Sequence, residues 1–142
     1  MYIGLKHLHS YLAYLLLAVI IFSILYVLFN LLRKKSFTER VRKVALAGFI
    51  AAHLQLLIGI ILYFVSPVGL SLFSSEAMQD SLSRLYVLEH PLTMIIGIVL
   101  ISIGYIKAKK PGDDVRRLRT IFLYYTGGLI LILLRIPWSE WH

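Results

Sequence analysis

The chain has 142 residues, of which 59% are apolar and 15% charged, and its mean hydropathy is +0.81. A soluble domain carries about 45–50% apolar and about 25% charged residues. This composition therefore excludes an ordinary soluble enzyme, and its wealth of aliphatic and aromatic side chains excludes disorder. There is no cysteine, which excludes disulfides, iron–sulfur clusters, zinc–thiolate sites and covalently attached c-type haem. The formal net charge of +8 would suit a nucleic-acid partner, but its distribution argues otherwise.

Four apolar stretches follow in chain order. The first runs uncharged from about His7 to Leu32 and ends in Arg33-Lys34-Lys35. The second runs from Val44 to Val65. The third, Leu85 to Ile106, is broken by Glu89 and His90. The fourth is uncharged from Thr120 to Leu134 and then meets Arg135, Ile136, Pro137 and Trp138. About 20 apolar residues span the hydrocarbon core as a helix, and backbone polar groups in lipid must be satisfied within the segment. The sequence thus predicts an all-α, integral membrane, up-down four-helix bundle forming one domain over 1–142. Its helices are expected at about 7–32, 37–65, 83–107 and 114–136, with a short outer-surface helix within 68–82. The first stretch is too long for the apolar region of a signal peptide, and its basic cluster follows rather than precedes it, so it is expected to be retained.

The basic residues set the orientation. Six of the 15 Lys/Arg lie between Arg33 and Lys43 and six between Lys107 and Arg119. The positive-inside rule places both loops in the cytoplasm and both termini outside. The loops then serve as topology determinants against anionic headgroups rather than as a nucleic-acid surface. Ser36-Phe37-Thr38-Glu39 reads as a capping box with Ser36 as N-cap. Ser66-Pro67 stops the second helix, and Asp113 or Asp114 caps the fourth. Small residues mark close contacts. Ala45, Ala52 and Gly59 recur every seven residues, as do Gly97 and Gly104, while Gly127-Gly128 lies midway along the last helix. Packing explains them, and so would a flat ligand between helices.

Ionisable groups inside a membrane are costly and mark function by default. Here they are His7, His9, His53, Glu89, His90 and Arg135, joined by the polar Gln55. Counted from the cytoplasmic edge at about 1.5 Å per residue, His53 lies about 15 Å up, His90 and Arg135 about 25 Å, and His9 about 35 Å. Glu89 and Arg135 share a level and are expected to pair. Two imidazoles from facing helices can bind haem b axially, small residues can make room for the macrocycle, and Arg135 can pair with a propionate. His9, His53 and His90 are the candidate iron ligands, with the pair left open.

Several segments carry a family likeness. They are Leu8-His9-Ser10, Ala52-His53-Leu54-Gln55-Leu56-Leu57, Leu62-Tyr63-Phe64-Val65-Ser66-Pro67, Val87-Leu88-Glu89-His90-Pro91, Ile101-Ser102-Ile103-Gly104-Tyr105 and Ile136-Pro137-Trp138. The chain resembles, over nearly its whole length, a family of small four-helix membrane proteins of Bacteroidota labelled cytochrome b-like. That resemblance implies bound haem, electron transfer and residence in a bacterial inner membrane, and His9, His53 and His90 match the family's histidines. The expected role is one-electron transfer in or beside a respiratory chain, with the lipid bilayer and a redox partner as neighbours and room for a homo-oligomer. No dinucleotide fingerprint and no catalytic domain are present. The alternative is a non-enzymatic accessory or assembly subunit whose His, Glu and Arg are structural. A proton or metal-ion path through staggered histidines ranks last, because no acidic residue lies in the cytoplasmic half.

Overall fold

The computed structural model describes residues 1–141; His142, which carries no signal in the sequence, lies outside them. Four helices among the described residues are long and apolar enough to cross a membrane, and no strand is found there. Helix α1 spans Tyr2–Leu32 and α2 spans Glu39–Val65. A single 3₁₀ turn, Leu70–Leu72, and two short helices, α3 (Ser75–Gln79) and α4 (Ser81–Arg84), follow. A π-helical turn, Leu85–Glu89, leads into α5 (His90–Lys109), and α6 covers Asp114–Leu134. The chain closes with a 3₁₀ turn at Trp138–Glu140.

Helix α1 starts at Tyr2, well before the expected His7, because nothing in residues 2–6 breaks a helix and Gly4 is tolerated at a frayed end. The segment 68–82 holds two short pieces instead of one surface helix. Ser74 caps α3 and Asp80 caps α4, so the second cap interrupts the first helix. The Asp80 carboxylate accepts the Ser83 N–H at 2.9 Å. Hydrogen bonds from Ser83 hold its pKa below the usual carboxylate value. This cap is therefore intact above the ordinary carboxylate range and weakens only as pH falls through the lowered pKa.

The N-cap of α2 also differs from expectation. Thr38, in extended conformation, accepts the Val41 N–H at 3.3 Å. Glu39 turns to Arg42 instead of reaching back to close a box with Ser36. A threonine at this position already satisfies the orphan donor, which leaves Ser36 nothing to cap. Thr38→Ala is expected to lower stability by about 1 kcal/mol and Ser36→Ala to leave it unchanged, as read by thermal melts in detergent. Equal effects of the two would contradict this cap.

Helix α1 packs on α2 and α6, and α5 packs on the same two, so α1 and α5 stand diagonally across the bundle. The contacts fix the levels. Ser23 of α1 donates to the Val44 carbonyl of α2 at 3.1 Å. The Tyr125 hydroxyl of α6 donates to the Ala45 carbonyl at 2.6 Å, buried in the core. Gly48 makes room for both neighbours: a methyl there would lie 3.0 Å from Ile20 Cδ1 and 3.2 Å from Tyr125 Cε2. On the α5–α6 seam a methyl on Gly128 would lie 2.7 Å from the Gly97 carbonyl oxygen. Two facing glycines let these backbones approach.

The exterior is as apolar as the core, which itself admits a few polar side chains. Ser23, Asn30 and Gln55 are buried, whereas Phe22, Leu25, Phe29, Leu57, Phe64 and Leu123 face outward. Contiguous exposed apolar surface of this kind marks contact with a partner or a membrane. With four spans of sufficient length, it makes this a multi-pass membrane protein.

Candidate functional site

Pro91 shapes the entry to α5. Proline has no N–H, so the carbonyl four residues earlier, that of Val87, loses its helical partner. The Tyr63 hydroxyl of α2 donates to that carbonyl at 2.7 Å. The turn before it widens into the π-helical stretch Leu85–Glu89, in which the His90 N–H reaches the Leu85 carbonyl. Such turns re-aim the side chains that follow them. Here those side chains are Glu89 and His90.

His90 points at the C-terminal end of α6. Its Nδ1–H donates to the Arg135 carbonyl at 2.8 Å, one of the acceptors a helix end leaves free. This bond fixes the tautomer, and Nε2 carries the lone pair. His9 arrives from the diagonal helix. The His9 and His90 ring centroids are 6.2 Å apart and their planes stand at 87°. The amide of Gln55 on α2 donates to the His9 carbonyl at 2.8 Å and so ties α1 to α2 at this level. One turn further, Gly59 leaves the imidazole its room: a methyl there would stand 3.1 Å from His9 Cε1. His9 Nδ1 and Gln55 Oε1 are buried without a hydrogen-bond partner.

The offset of about 10 Å counted from the cytoplasmic edge does not separate these histidines. Helix ends are a poor ruler because α1 and α5 project unequally past the core. Ser23 and Gly104 both lie at the level of the Tyr125 ring, through Gly48 and directly. The same number of residues separates His9 from Ser23 and His90 from Gly104, about 21 Å of helix. The two rings therefore meet.

A charged cluster flanks the pair. Glu89 Oε2 receives Arg84 Nε at 3.0 Å, and Glu89 Oε1 lies 3.7 Å from Arg135 Nε. Arg84 also donates to the Met78 carbonyl at 2.8 Å, anchoring the segment before it. One carboxylate between two guanidiniums leaves a positive excess beside the histidines. All of these groups are partly exposed, so each ion pair contributes little to stability by itself.

His53 stands apart. Its Nδ1–H donates to the Phe49 carbonyl at 2.7 Å and its Nε2 lies 3.1 Å from the Ser102 hydroxyl, whose one proton is shared between that nitrogen and the Ile98 carbonyl at 2.8 Å. Both ring nitrogens are engaged. Ser102 lies about 18 Å along α5 from His90, so these two histidines do not share one centre. His7 stacks on Tyr11 near the start of α1 and takes no part.

His9 and His90 are the two residues close enough to hold one metal centre between them, if one binds. Two imidazoles on one metal centre, at about 2.0 Å per bond, put their ring centres roughly 6 Å apart. A ring N–H on a backbone carbonyl is the usual partner of a ligating histidine, and His9 Nδ1 is a buried atom without a partner; Gly59 gives its space to the His9 ring itself and leaves no spare volume for a macrocycle. Gly97, Gly104 and Gly128 supply none. Methyls at these three sites would meet the Gly128 carbonyl, the Tyr124 side chain and the Gly97 carbonyl, so they serve helix packing. Among the described residues no group of three or more His, Asp or Glu is placed to hold a bare metal ion.

Sequence reasoning missed Arg84, which falls in the first residues of the expected third helix, and the pairing of Gln55 with Gly59 on one face of α2. Their i, i+4 spacing was the available signal. No protein-family model, curated protein or solved structure matches the chain.

Proposed function

We propose that this chain is an up-down bundle in a bacterial inner membrane, with both termini outside, that transfers single electrons through a b-type haem held by His9 and His90. The observation that carries the reading is the meeting of two imidazoles from diagonal helices at 6.2 Å, one with its tautomer set and the other with a buried unpartnered nitrogen. When bound, the haem supplies a reversible one-electron couple at its iron. The protein's own part is positional and electrostatic. The Arg135 carbonyl orients His90, Gln55 holds α1 in register, and Arg84 and Arg135 offer positive charge to carboxylates at the same end of the bundle. The orientation rests on the two basic loops, which lie together at the opposite end. The histidines do not line the groove between α1 and α2 at Ala18, Phe22 and Ala47 or the one beside Leu100, Leu123 and Tyr124, so a macrocycle enters only as side chains around the ring pair give way.

A redox partner in or beside a respiratory chain completes this reading. The accessory-subunit reading keeps the same residues as struts, and the Glu89 bridge between Arg84 and Arg135 is the feature that favours it. An absorption spectrum separates the two. The protein purified in detergent after expression with ample haem should show a Soret band that sharpens on dithionite reduction, with resolved α and β bands. A colourless protein that also fails to take up added haem sinks the cytochrome reading in favour of the accessory one.

A further inference from the structure

We propose that the groove between α1 and α2, at the end of the bundle near the basic loops, is a binding site for an anionic phospholipid. The groove has a volume of about 420 Å³ and is lined by Ala18, Val19, Phe22 and Ser23 of α1 and by Arg40, Lys43, Val44 and Ala47 of α2. On α2 the spacing 40, 43, 44, 47 is one helical face, with the two cations at the loop end and the apolar residues beyond them. Ala18 and Ala47 carry only a methyl in this lining, and Ser23 shares its one hydroxyl proton between the Val19 carbonyl at 2.8 Å and the Val44 carbonyl at 3.1 Å, tying the two helices at the groove.

Arg40 and Lys43 are exposed, and among the described residues neither has a carboxylate in ion-pair reach; the adjacent Glu39 is taken by Arg42. Two exposed cations, neither in an ion pair although Lys43 feels the Glu39 charge, over an apolar trough match one chemistry, a phosphate joined to an acyl chain. Basic pockets at the end of membrane helices bind such headgroups. The phosphate sits on Arg40 and Lys43 and one acyl chain lies along Ala18, Phe22 and Ala47. This inference rests on the membrane-spanning helices and is independent of the histidines.

The test is lipid retention by the detergent-purified full chain, read by native mass spectrometry with phosphatidylglycerol and phosphatidylcholine of identical acyl chains. Phosphatidylglycerol should bind in preference. The double change Arg40→Gln, Lys43→Gln should weaken it by roughly 30-fold, at the gain per basic residue expected near a membrane surface. Ala47→Phe, which fills the trough, should weaken both lipids. Arg33→Gln with Lys34→Gln, outside the groove, and His9→Ala should change nothing. Arg40→Lys should retain binding, which separates lost charge from lost fold. Equal binding of the two lipids, unchanged retention in the double variant, or displacement of phosphatidylglycerol by millimolar inorganic phosphate would each overturn the proposal.

Discussion

His9→Ala and His90→Ala are each expected to remove the haem spectrum from the purified protein, while His53→Ala keeps it. The ring pair His9–His90 offers one lone pair whose tautomer is set by the Arg135 carbonyl and one buried nitrogen without a partner. His53 has already engaged both nitrogens, with Phe49 and Ser102, on another level of the bundle. On the proposed reading, loss of either His9 or His90 would remove one of the two residues that would hold the iron, whereas loss of His53 would leave both. Arg135→Ala should give a milder effect. The bond to His90 comes from the backbone carbonyl, which alanine retains, so only the guanidinium's charge is lost. Loss of the spectrum in His53→Ala, with both other histidine variants still coloured, would show that the wrong pair has been chosen.

Gly128→Ala and Gly127→Ala should behave very differently although the residues are neighbours. A methyl on Gly128 would lie 2.7 Å from the Gly97 carbonyl oxygen and 2.8 Å from Ile101 Cγ1, whereas one on Gly127 meets only Leu100 Cδ1 at 3.7 Å. The first contact is with backbone and cannot be relieved by a rotamer change, so α5 and α6 must separate. Overpacking of this kind costs about 1–3 kcal/mol. The second is ordinary contact, and replacing glycine within a helix by alanine stabilises by about 0.5–1 kcal/mol. Thermal melts in detergent should therefore move in opposite directions. Equal melting temperatures would mean that the α5–α6 seam is looser than described.

The helices were legible because the bilayer imposes a simple rule on the sequence, a long run without charge. Their ends were less so. The start of α1 at Tyr2 and the cap at Thr38 depend on local competition between residues, and Ser36, Thr38 and Glu39 satisfy several capping patterns at once. The polar residues of the site were visible one by one, since ionisable groups stand out in an apolar run. Their meeting was not. Whether His9 reaches His90 depends on how far each helix projects past the core, which is set by the Ser23–Val44 and Tyr125–Ala45 contacts between distant segments. Arg84 was hidden because it joins the site only through the π-helical turn that precedes Pro91. Tyr63 reads as a membrane-belt residue in the sequence, yet its hydroxyl fills the carbonyl that Pro91 leaves free. For Tyr63 the signal is a proline whose consequence lies four residues back and one helix away.

The most direct test of a centre shared by His9 and His90 is the electron paramagnetic resonance spectrum of the oxidised, haem-loaded protein. A haem held by His9 and His90 would give a low-spin ferric signal, absent from His9→Ala and His90→Ala and unchanged in His53→Ala. A purely high-spin signal, or a low-spin signal that persists without His9 or His90, would contradict the account.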